Sequence, residues 1–167
     1  LEKLVLSSLE SLTNIWEISR LKDSFCKLAS IEIKDCEKLQ TIFPLALMER
    51  LQNLAELKVE NCNALEVLFE SIERDLMMYK LKDMSLHRLP NLKHLVMIRS
   101  SSRKAVLGFP NLMVVKLNEC NGLIDLFPNA TARTLFELEN LEITSCSSMV
   151  EVFSAVEEDE EVASLEE

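Results

Sequence analysis

Glycine and proline are scarce in this chain, with two and four in 167 residues. That excludes a linker-like organisation and implies tight connections made from ordinary residues. No apolar run approaches the 18 or so residues of a membrane-spanning helix, and no signal peptide is visible. A basic patch is missing as well. Lys and Arg number 18 against 28 Asp and Glu, a formal charge of -10, and the last eleven residues hold seven acids and no base. The remainder therefore stands at -10 + 7 = -3. A near-balanced body argues against nucleic acid, whose affinity rests on clustered Lys and Arg, and against an anionic membrane surface. There is no GxxxxGK[ST] phosphate loop. No C-x2-C or H-x3-5-H spacing marks a metal site. His87 and His94 have no serine, cysteine or carboxylate at a spacing that recurs in catalytic motifs. The expectation is a chain that is not an enzyme and binds no metal and no cofactor.

What the sequence does contain is a repeat. The pattern LxxLxLxx(C/L)xxLxx, closed by two hydrophobic residues, starts at Leu1, Leu28, Leu54, Leu81, Leu112 and Leu138, with spacings of 27, 26, 27, 31 and 26 residues. A leucine framework of this period marks a leucine-rich repeat solenoid. The fold class expected is an α/β repeat solenoid, a right-handed superhelix. Its concave face carries a parallel β-sheet and its convex face short helices and irregular turns. The repeats occupy residues 1–153, and 154–167 form an acidic tail or a linker to further repeats. Because Leu1 already lies inside a repeat and solenoids need polar end caps, the chain reads as a piece of a longer protein.

The LxL core of each repeat should be a short strand with inward residues two apart. These pairs are Leu4 and Leu6, Ile31 and Ile33, Leu57 and Val59, Met84 and Leu86, Val115 and Leu117, Leu141 and Ile143. Residues 44–53, 71–80 and 128–137 read as short helices, the first and last opening at Pro44 and Pro128 in the first helical turn. Residues 17–27 are ambiguous, and 97–111 read as a loop that accounts for the 31-residue spacing. Trp16, Phe43, Phe69, Phe127 and Phe153 share one column and read as a core stack. Repeats 1 and 4 carry Leu9 and Leu89 where the others carry cysteine, so a three-repeat block of about 80 residues is written twice.

Four of the five cysteines, Cys36, Cys62, Cys120 and Cys146, occupy one column eight residues after each repeat start. Buried, reduced thiols are expected there, which suits a reducing compartment. A disulfide between adjacent members is geometrically conceivable at a turn spacing of about 4.8 Å.

The stretches FCKLASIEIKDCEKLQTIFP, LQNLAELKVENCNALEVLF, FPNLMVVKLNECNGLIDLFP and LFELENLEITSCSSMVEVF resemble the C-terminal region of plant intracellular immune receptors. The resemblance is to the coiled-coil, nucleotide-binding, leucine-rich-repeat class of disease resistance proteins. It implies a cytoplasmic or nucleocytoplasmic module that senses a protein partner, either a pathogen effector or an altered host protein. It also implies packing on the parent's own nucleotide-binding domain to hold the receptor inactive. Any nucleotide is expected only in that missing domain. The alternative is a generic scaffold, such as the substrate-reading part of an F-box ubiquitin ligase adaptor.

On either reading, function belongs to outward residues, because inward ones are committed to packing. The candidates are Glu32, Lys34, Lys58, Glu60, His87, Arg88 and Lys116 on the strands, and Arg99, Arg103 and Lys104 in the 97–111 insertion. Glu32 should neighbour Lys58, and Lys34 should neighbour Glu60. A solvated face with cross-strand pairs and a partner footprint both fit these residues.

Overall fold

The computed structural model describes residues 1–16, 24–70, 74–97 and 105–154. Each repeat opens with a five-residue strand: β1 (Lys3–Ser7), β2 (Ser30–Lys34), β4 (Glu56–Glu60), β7 (Asp83–His87), β10 (Val114–Asn118) and β12 (Asn140–Thr144). They form one six-stranded parallel sheet in the order β1-β2-β4-β7-β10-β12. Register is uniform, so Leu4, Ile31, Leu57, Met84, Val115 and Leu141 make one inward row, and Leu6, Ile33, Val59, Leu86, Leu117 and Ile143 the next. Alternation along a strand sends these rows to one face. The eight inward residues of the four central strands are at most 1 % exposed. Those of the edge strands β1 and β12 are only partly buried.

A tight turn follows every strand at the eighth repeat position. Ser8, Asp35, Asn61, Arg88, Glu119 and Ser145 all adopt φ between 51° and 57°. This left-handed region favours glycine or asparagine, yet no glycine occurs in the column. The turn N–H groups of Ser8, Asp35, Asn61, Arg88 and Glu119 donate to Lys34, Glu60, His87, Asn118 and Thr144 carbonyls at 2.9–3.1 Å. The first five turns are thereby tied to their successors, which offsets the conformational cost.

Beyond the sheet, the paired hydrophobic residues are extended. β3 (Thr41–Phe43), β5 (Val67–Phe69) and β8 (His94–Val96) form a three-stranded sheet, and β11 (Phe127–Pro128) pairs with β13 (Phe153–Ser154). Among the described residues helices are few and short: α1 (Leu45–Met48) and α2 (Asn129–Ala132). Both follow a Phe-Pro pair at equivalent places in the duplicated block. Each proline is extended, with ψ of 150°, and so stands just before the helix rather than in its first turn. The helix expected over 71–80 does not form in its described part. Leu76–Met77 is β6, paired with β9 (Leu107–Gly108) from the next turn. Extended backbone there satisfies its hydrogen bonds on the neighbouring chain segment, with Leu76 N–H donating to Val106 O and Met78 N–H to Gly108 O at 2.9 Å.

The aromatic column is built differently from the expectation. Phe43, Phe69, Phe109 and Phe127 stack at centroid distances of 4.9, 5.4 and 5.6 Å. Phe109 bridges Phe69 and Phe127 at the level where repeat 4 offers only Val96. Trp16 meets Phe25 edge-on at 5.1 Å and donates its indole N–H to Ile42 O at 2.7 Å. Phe153 is 41 % exposed and joins no ring stack among the described residues.

All five described cysteines are free thiols. Cys36, Cys62 and Cys120 are fully buried, Cys146 is half-buried on the edge turn, and Cys26 is exposed. Cys36, Cys62, Cys120 and Cys146 sit 3.4–3.7 Å from the carbonyl oxygen two residues earlier, a weak S–H···O bond. Burial pushes the Cys62 and Cys120 thiols up to about 11.

Candidate functional site

The regular register places most of the charged candidates side by side on the concave face. Glu32 stands opposite Lys58, Lys34 opposite Glu60, and Glu60 opposite His87. Lys58 and Lys116 flank Ser85 in one row. Lys34 Nζ lies 3.6 Å from Glu60 Oε2, and Arg88 Nε donates to Glu119 Oε2 at 3.2 Å. Both pairs are substantially exposed, so each contributes about 1 kcal/mol at most to stability. Their charges remain accessible to a partner. Arg99, Arg103 and Lys104, and the tail from residue 155, lie outside the described residues. His94 is on β8, away from this face, paired in register with Val67.

The floor of this surface adds residues that share the outward phase but are not among the charged candidates. A cleft of about 470 Å³ runs across β4, β7 and β10, lined by Glu56, Lys58, Asp83, Ser85, Val114 and Lys116. Glu56 and Asp83 are register partners with like charges, an arrangement that is mildly unfavourable across strands. The signal was available: both occupy the third repeat position, outward in the same phase as Lys58 and Lys116. The cleft holds two carboxylates and two ammonium groups across three turns, and Val114 supplies an apolar edge. Such a lining suits a polar protein segment rather than a small apolar ligand. Among the described residues no group of three or more His, Cys, Asp or Glu could hold a metal ion. None of their helices is long and apolar enough to cross a membrane.

The stacked parallel LxL strands are those of a leucine-rich repeat solenoid, and the sequence matches a family of that kind. The model of plant disease resistance protein RPS2-like leucine-rich repeats matches residues 1–147. The chain belongs to that family. Searches of curated proteins and of solved structures return no match. The family places the chain as the leucine-rich repeat module of a resistance protein. The sheet just described is then the module's concave surface, and its outward rows are the positions free to differ without disturbing the repeat core.

Proposed function

We propose that this module recognises a protein partner, a pathogen effector or an altered host protein. We propose too that its charged rows help hold the parent receptor inactive by packing on its nucleotide-binding domain. The observation that carries this reading is the uniform phase of the sheet. Every inward position of the central strands is apolar and buried, while the outward rows present exposed Lys34, Lys58, Arg88 and Lys116 beside Glu32, Glu60 and His87. Charge patterns of this kind select partners and fix their orientation more than they add affinity. The module itself carries out no reaction on this reading, and binds neither metal nor nucleotide. The compartment proposed is the cytoplasm or nucleocytoplasm, where free thiols persist.

The test is charge reversal of Glu32, Lys34, Lys58, Glu60, His87, Arg88 and Lys116, with Arg99, Arg103 and Lys104 of the insertion, in the full receptor. Cell-death signalling in leaves is read with protein abundance measured alongside. Altered recognition, or signalling without a trigger, is expected at unchanged abundance. An off state held by a few kcal/mol is within reach of a like-charge contact costing several. Normal recognition and normal silence across all ten reversals would remove these residues as the functional surface and favour the generic scaffold.

A further inference from the structure

A strip on the rim of the solenoid, where successive turns enter the sheet, exposes aromatic side chains that the core does not use. Two residues before the starts of repeats 4, 5 and 6 stand Tyr79, Pro110 and Phe136. Tyr79 is 57 % exposed and Phe136 is 77 % exposed, with Pro110 half-buried between their turns. In contrast, Phe43, Phe69, Phe109 and Phe127 are fully buried. The three turns are tied together at this level. Asn111 Nδ2 donates to Tyr79 O at 2.7 Å, and Phe109 N–H donates to Thr134 Oγ1 at 3.0 Å. Just inside, Met113 N–H donates to Lys82 O and Glu139 N–H to Met113 O, both at 2.9 Å. At a turn spacing of about 4.8 Å, Tyr79 and Phe136 lie roughly 10 Å apart along the axis.

Charge along this strip is segregated. Exposed Lys80 and Lys82 flank the turn of Tyr79, Asn111 and half-buried Met113 the turn of Pro110, and exposed Glu137 and Glu139 the turn of Phe136. Among the described residues none of these four charges forms an ion pair. Exposed aromatics supply large contact area and dominate binding energy when a partner covers them. Opposite charges at the two ends of an apolar centre select one orientation of what covers them.

We propose that this rim strip docks an extended segment of a protein partner. That segment carries carboxylates over Lys80 and Lys82, an apolar side chain between Tyr79 and Phe136, and Lys or Arg over Glu137 and Glu139. The inference rests on the protein-recognition reading but names a surface separate from the charged concave rows.

The probe is a short fluorescent peptide with two aspartates at one end, a central Leu-Phe pair and two lysines at the other, titrated into the chain by anisotropy. Saturable binding is expected, weakened about tenfold or more by Tyr79→Ser with Phe136→Ser, as for loss of central anchoring aromatics. Lys80→Glu with Lys82→Glu should weaken this peptide to a similar degree and strengthen a peptide flanked by lysines at both ends. Circular dichroism melts check that the variants fold, which their exposure favours. No saturable binding to the unaltered chain, equal binding by the aromatic variants, or no switch in charge preference would each overturn the proposal. Lys58→Glu with Lys116→Glu should leave peptide binding unchanged. Loss of binding there instead would move the contact to the concave cleft, refuting the rim site while keeping protein recognition. Rim-dependent peptide binding alongside ten silent concave and insertion reversals in leaves would keep the rim site and refute the concave reading.

Discussion

Replacing Leu57 by alanine is the most direct test of the inward and outward phase of the sheet. Leu57 is 0 % exposed and lies in register between Ile31 and Met84. The substitution removes three carbons, worth about 2.4 kcal/mol at about 0.8 kcal/mol each in lost transfer energy. A cavity term is added because the surroundings collapse only in part, and buried leucines lose about 2.7–5 kcal/mol overall. The flexible side chain of Met84 can swing into some of the space, so about 3 kcal/mol is expected. Lys58→Ala is the control one residue along. Lys58 is exposed and stands opposite Glu32, so its loss should cost about 0.5 kcal/mol and not above about 1. Urea melts followed by circular dichroism give both values, provided the slope with denaturant stays constant between variants. Equal losses for the two would show that the alternation is wrong in repeat 3. A loss below 1 kcal/mol for Leu57→Ala would show that the core is loosely packed.

Phe109→Ala should cost about 3–5 kcal/mol in the same melts, as for large aromatics in cores, because it opens the stack between Phe69 and Phe127. Phe153→Ala, at 41 % exposure, should cost clearly less, and the reverse ranking would refute the stack as a stabilising element. Under native thiol labelling Cys26 should react first and Cys146 next, with Cys36, Cys62 and Cys120 protected until denaturant is added. Fewer than the full set of free thiols after denaturation would reveal a bridge. The raised thiols of Cys62 and Cys120 have a pH signature. Their buried form is the neutral one, so their contribution is complete below the unfolded thiol value of about 8.5. It is lost as pH climbs toward about 11. Stability should therefore fall between these limits, and Cys62→Val with Cys120→Val should flatten that part of the profile. An unchanged slope would place the alkaline loss elsewhere.

The concave half of this protein was legible in its sequence because one periodicity carries it. Alternation at LxL specifies which side chains are inward, and the constant spacing stacks the strands in parallel. The cysteine column and the charged rows follow from the same phase. Glu56 and Asp83 obey that phase too, and only their stacking as like-charged partners on one cleft floor needed the structure. The convex half has no such period. Residues 74–80 could satisfy their backbone as a helix by themselves, yet Leu76 and Met77 pair with Leu107 and Gly108 because the neighbouring turn offers an extended partner. Phe109 enters the aromatic stack from outside the expected column, since the small Val96 leaves its level open. Left-handed turns at Arg88 and Glu119 carry no glycine to announce them. They persist because each turn N–H finds a carbonyl on the next strand. The partial exposure of Cys146 and Phe153 likewise depends on position at the sheet edge rather than on residue type. A residue's inward phase is local and is written in the sequence, whereas the contact that completes it belongs to the turn stacked beside it and exists only once the solenoid has formed.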